Sequence, residues 1–257
     1  MAGIDAPRLL TFALMVDSET TRLLCHWYGI AFAEEDHLFG WASALTFLHG
    51  GYGRVPLLYG GGLKLSGPRA VVDHFDPSAA PERRLLREGG EAAGVEADWS
   101  YYNGSLGLDV AIFAYFHLLA VRALMERVFA APLPHHEARL SPRAFPLLRW
   151  VLTALLRLSP ARAELAGQHI RTVFAATDRR LADERHFLMG PRLTLGDIAF
   201  AGASAPLLQP PGFGTLMPAI EAMPRPVCDL VLNLRASRTA RYVERVYRTV
   251  IEIGASG

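Results

Sequence analysis

Few side chains in this chain have both the type and the setting for chemistry. An aromatic concentration runs through Trp99, Tyr101 and Tyr102, and continues with Phe113, Tyr115, Phe116 and His117. Phenol and indole tips on large apolar rings can hold a flat or apolar molecule and orient it. At helical spacing the same rings are simply core. Tyr101, Tyr102 and Tyr115 are the candidate substrate-lining residues; Phe113 and Phe116 are the candidate core. Ser18, with Thr20 and Thr21 close by, follows a short apolar run, and either it or Asp17 can cap a helix there. His135, His136 and Glu137 offer metal-ligand types, but adjacent residues on a Pro-flanked loop rarely converge on one ion, so a solvated loop is expected. Cys25 falls mid-helix and reads as a buried, inert thiol. No nucleophile elbow, P-loop or dinucleotide fingerprint occurs, and the three glycines at 60–62 follow a strand without opening a helix, as a hairpin turn does.

Composition narrows the class. With 257 residues, 51% hydrophobic and 20% charged, the chain is long and apolar enough for real cores. A formal net charge of +1, a single lysine (Lys64) and scattered arginines give no basis for nucleic-acid or anionic-membrane binding. Cys25 and Cys228 lie far apart with no Cys-x-x-Cys, which suits a reducing compartment. Asp5 and Arg8 flank too short an apolar run for a secretory signal, and the longest apolar stretch, 110–131, is interrupted by His117, Arg122, Glu126 and Arg127. A cytoplasmic protein without a membrane span is the expectation.

The elements that must position these residues fall in two halves. The first alternates: a strand over 9–15, a helix to about Tyr28, a strand over 30–34, a short helix over 41–49, a hairpin over 56–65 and a helix over 70–75. The order suggests a thioredoxin-like layer. Residues 77–98, rich in Pro, Gly, Glu and Arg, read as a linker between a domain over 1–76 and an all-helical domain over 99–257. Helices are expected over 106–129, 145–158, 162–185, 195–208, 217–236 and 239–253.

The helix over 195–208 is the most legible. Thr194 is its N-cap, Asp197 reaches back to the Thr194 amide as the acidic partner of a capping box, and Leu193 with Ile198 form a hydrophobic staple. The residues that follow are small and apolar, so the helix should be buried on every side. This box, preceded by Phe187-Leu188-Met189-Gly190, resembles the core helix of the glutathione transferase C-terminal domain. Residues 21–35 resemble the family's first helix and second strand, Val55-Pro56 resembles its Val–cis-Pro step, and residues 65–75 resemble the next strand and helix. The resemblance implies a glutathione S-transferase fold: a thioredoxin-like N-terminal domain followed by an all-helical one.

It also implies glutathione as cofactor, held by the Val55 backbone next to Pro56 and by an acidic–Ser pair farther on. Counted from Pro56, that pair falls on Gly67-Pro68, which offers neither carboxylate nor hydroxyl; a slip of two brings in Ser66. Ser66 and Pro68 are the candidates there, and as a plain reading they open a helix. The thiol-activating role falls to Ser18, since a helix N-terminus and a hydroxyl both favour a thiolate. An early Tyr would fall on Thr11 or Phe12, and Asp17 would oppose a thiolate. The implied function is glutathione-dependent transformation of an apolar or aromatic electrophile by a homodimer. The alternative is a binding protein for a hydrophobic small molecule or partner, on the same fold and without the usual glutathione site.

Overall fold

The computed structural model describes residues 6–12 and 14–255; Asp5 and Ala13, which enter the readings above, lie outside the described residues. Four strands form one sheet in the order β2-β1-β3-β4. β1 (Arg8–Thr11) runs parallel to β2 (Ala33–Asp36), with Arg8 opposite Ala33. β1 is antiparallel to β3 (Leu57–Gly60), which is antiparallel to β4 (Leu63–Ser66) through the three-glycine turn. Helices α1 (Val16–Trp27), α2 (Phe39–Leu48) and α3 (Gly67–Phe75) complete the expected thioredoxin-like layer.

β2 begins three residues later than the apolar pattern implied. Ile30 and Phe32 pack sideways against the core, and the strand proper carries three carboxylates, each with a donor. The Thr11 hydroxyl donates to Glu34 and Asp36, Arg22 pairs with Glu34, and Tyr59 and Arg8 donate to Glu35. Charge along this edge strand also discourages pairing with another chain.

The remainder is helical: α4 (Ala92–Trp99), a π-helical segment (Ser100–Leu106), α5 (Gly107–Leu118), α6 (Arg122–Ala130), α7 (His135–Leu155), α8 (Pro160–Arg180), α9 (Leu195–Leu208), α10 (Arg225–Arg235) and α11 (Arg238–Ala255). The single helix expected over 106–129 is two. Leu118 and Leu119 on one side of the break, and Leu124, Met125, Val128 and Phe129 on the other, are all buried. Together they would wrap too far round one straight helix to face one core.

α7 begins ten residues before the expected 145 and runs through Pro142 and Pro146. Its buried residues Glu137, Ser141, Phe145, Leu148 and Leu152 recur every three or four positions, so tertiary burial outweighs the two prolines. The region around His135 is therefore helix rather than loop: His135 and His136 are solvent-exposed as expected, and Glu137 is buried. The helix expected over 217–236 is shortened to α10, after a 3-10 turn at Ile220–Ala222. Among the described residues no helix is long and apolar enough to cross a membrane.

α9 is at the centre, buried at every residue and packed against α1, α4, α5, α10 and α11. Small residues make this possible: a Cβ on Gly202 would lie 2.4 Å from the Thr20 Oγ1 of α1. The capping box is present. Asp197 Oδ2 accepts from the Thr194 amide at 2.8 Å and its hydroxyl at 2.6 Å. Oδ1 accepts from the Leu188 amide at 2.8 Å and the Tyr242 hydroxyl at 2.7 Å. Burial pushes this carboxyl up, against the pull of its donors. Asp197→Ala leaves those buried donors unpaired and should destabilise the protein by about 3–5 kcal/mol. A melting temperature lower by roughly 10 °C in calorimetry is the expected readout.

Candidate functional site

A cavity of about 250 Å³ lies where the sheet meets the helices. Its floor is the end of β1 and the start of α1. The chain leaves β1 through Leu14, whose φ of 68° is left-handed, and enters α1 at Met15, the N-cap, with no side-chain cap bond. Phe12, Met15, Val16 and Asp17 all contribute to this floor. One wall is the π-helical segment and α5, through Asn103, Gly104, Leu108, Ala111 and Tyr115. π-Helical turns are rare and recur at functional sites; here the segment turns Asn103 and Gly104 toward the cavity. Gly107 lets α5 close on α1, since a Cβ there would sit 3.2 Å from Val16 Cγ1.

The far wall is the end of α7, through Leu152, Leu155 and the C-cap residue Leu156, with Phe39 at the start of α2. α7 is pinned over the site at its other end. Buried Glu137 makes a hydrogen bond with His37 Nδ1 at 2.6 Å and accepts from the Leu38 amide at 2.8 Å. Glu137 is thus a structural anchor in the first turn of α7.

Ser18 is not the N-cap; it lies inside the first turn of α1, 1% exposed, with an Oγ that has no hydrogen-bond partner among the described residues, and it does not line the cavity. The Thr20 and Thr21 hydroxyls donate to carbonyls of their own helix. Asp17 is the side chain that α1 presents instead. Among the described residues its carboxylate accepts one hydrogen bond, from Asn103 Nδ2 at 3.2 Å, and burial pushes the carboxyl up. Cys25 is fully buried and burial pushes its thiol up to about 12, so it is inert.

The three tyrosines go to three places. Tyr115 lines the cavity with its ring, and its hydroxyl donates to the Leu14 carbonyl at 3.4 Å. Tyr102 is 5% exposed, packs edge-on against Phe200 and does not line the cavity. Tyr101 is half-exposed and faces away, toward a chain in which its hydroxyl meets His169 Nε2 at 2.9 Å and His169 Nδ1 meets Asp109. Of the two phenylalanines, Phe113 is buried and Phe116 is half-buried.

The residues named for glutathione form a separate cluster that does not line the cavity. The Val55–Pro56 bond is cis. Among the described residues, no backbone hydrogen bond uses the Val55 amide or carbonyl. Ser66 stands at the N-cap of α3 but makes no cap bond; its hydroxyl donates to the Gly51 carbonyl at 3.4 Å. Gly67, at φ 80°, donates to the Pro56 carbonyl at 2.9 Å, and a Cβ there would meet open space. Pro68 is buried in the first turn of α3.

Sequence reasoning passed over Asp17 as a lining group, along with Phe39 and the α7 leucines. Asp17 stands in a legible first turn, and Asn103 lines the cavity from within the aromatic segment already marked as a possible pocket wall. Phe39 and α7 reach the site only through the packing of distant segments.

No protein-family model matches this chain, and no curated protein matches it in sequence. Solved structures do match in shape. A glutathione S-transferase from Sinorhizobium meliloti 1021 superposes with TM-score 0.53 at 16% identity, covering 93% of this chain and 91% of that one. FzlA from C. crescentus gives 0.53 at 16% identity, covering 95% and 91%. Beta-etherase LigF from Sphingobium sp. strain SYK-6 gives 0.55 at 14% identity, covering 96% and 99%. Four mixed strands in the order β2-β1-β3-β4, followed by helices arranged round a buried, capped α9, give this chain the glutathione S-transferase fold.

Proposed function

We propose that this protein binds an apolar small molecule in the cavity between the sheet and α5 and α7. Two observations carry the reading: the cavity walls are overwhelmingly apolar, and the hydroxyl expected at the start of α1 is turned into the interior. A dry apolar cavity of about 150 Å³ takes benzene, so a space of about 250 Å³ suits a body of two fused rings.

A second reading, glutathione-dependent transformation of an apolar electrophile, is supported by the uncommitted Val55 backbone beside Pro56. It needs glutathione to bind without an acidic–Ser pair and to form its thiolate near Asp17, whose negative charge disfavours one.

The two readings separate in a thermal melt of the reduced protein. Naphthalene-sized apolar ligands at about a hundred times their dissociation constant add roughly 2.7 kcal/mol, a rise on the order of 5–10 °C for a chain of this size. Millimolar glutathione or S-hexylglutathione should leave the melt unmoved; a clear shift with either restores the second reading. Ala111→Trp, which places an indole in the cavity, should abolish the apolar-ligand shift while the unliganded melt stays within a few degrees of wild type.

A homodimer is part of this proposal. Leu140, Leu147 and Trp150 are exposed on one side of α7, an apolar stripe of the kind that a second copy covers. Sedimentation velocity should give a dimer for the wild type and a monomer for Leu147→Glu; a monomeric wild type removes the dimer from the proposal.

A further inference from the structure

Within the reading that the cavity binds an apolar molecule, we propose that its ligand is a cation: an apolar body of about two rings bearing a protonated amine that pairs with the Asp17 carboxylate. Asp17 is the only charged side chain among the described residues that line the cavity. From the facing elements come the Asn103 amide, the Tyr115 phenol and otherwise carbon: Phe39 from α2, Leu108 and Ala111 from α5, and the α7 leucines. No lysine, arginine or histidine lines it.

The carboxylate is under-supplied with donors. It receives one neutral hydrogen bond, on Oδ1 from Asn103, and no ion pair involving it occurs among the described residues. The other charges of α1 are engaged elsewhere: Glu19 pairs with Arg22, and Arg22 also pairs with Glu34, on the buried side of the helix. A half-buried carboxylate facing carbon, with neither a cation nor a second donor, pays a desolvation penalty that the fold leaves uncompensated. Burial moves its carboxyl upward, in keeping with that missing partner. The first turn of α1 favours the negative charge but does not replace a counter-ion.

An ammonium on an apolar body supplies both what Asp17 lacks and what the walls contact. A neutral ligand satisfies the walls alone. An anionic ligand meets like charge and should bind worst.

The test is isothermal titration of the full chain, at mildly alkaline pH, with three probes of one shape: naphthylmethylamine, naphthylmethanol and naphthoic acid. The amine should bind about tenfold or more tighter than the alcohol, since a charge-assisted hydrogen bond outweighs a neutral one by that factor. The acid should bind weakest. In Asp17→Asn, which keeps the side-chain shape, the amine-to-alcohol ratio should fall to about one. A second route needs no variant: acidifying the wild type protonates Asp17 while the amine stays charged, and the same ratio should fall. Equal binding of amine and alcohol by the wild type overturns the cation inference and leaves the apolar cavity standing. So does an amine advantage that survives both Asp17→Asn and acidification. Failure of amine and alcohol alike overturns the cavity reading, and this inference with it.

Discussion

The carboxylate of Asp197 is the constraint on which most of the helical region depends. It is fully buried, a position a carboxylate tolerates only when hydrogen-bonded donors surround it. Its four donors come from three separate stretches: the Leu188 amide before α9, Thr194 at its cap, and Tyr242 on α11. One side chain thereby fixes where α9 starts, how the preceding segment approaches, and which face α11 presents. The residues joining sheet and helices are tied to the same place, because Leu195 donates to the Leu85 carbonyl and Arg87 to the Leu193 carbonyl.

A second buried network holds the sheet against the helices. Glu19 and Arg22 of α1 pair in the interior, Glu34 of β2 accepts from Arg22, and the Tyr247 hydroxyl of α11 donates to Glu19 at 2.7 Å. Buried ion pairs add little net stability but allow few alternative arrangements, since each charge is costly without its partner. With α1 clamped in this way, its first turn is held at a set distance from α5 and α7. Small residues set how close the neighbours come: Gly202 brings α9 against the back of α1, and Gly107 brings α5 against its first turn.

The cavity is what remains where that close packing stops. α7 roofs it as one long helix anchored at Glu137 and His37, with leucines at the other end facing inward. The floor carries Asp17 in place of a hydroxyl. The Val55–Pro56 corner keeps an open backbone edge, but the residues after β4 bring no carboxylate to it. The fold thus carries a cleft whose chemistry differs from what its outline suggests, as expected when sites vary on a shared scaffold.

By itself the sequence determined the elements whose signals are local. The capping box at Thr194 and Asp197, the small apolar run after it, the three-glycine hairpin and the Val-Pro step each sit within a few consecutive residues, and each appears in the structure. Local pattern gave a mixed half followed by a helical half, since caps, turns and periodic burial are short-range properties of the chain, and the family resemblance that these motifs carry in order implied the rest of the fold. The tertiary structure alone decided the split between α5 and α6, the early start of α7 through two prolines, and the burial of Glu137. It also decided that Tyr101, Tyr102 and Tyr115 diverge, that Ser18 turns inward, and that Asp17 faces the cavity. Each of these depends on which face of a helix is covered by a segment far away in the chain, and no local spacing encodes that.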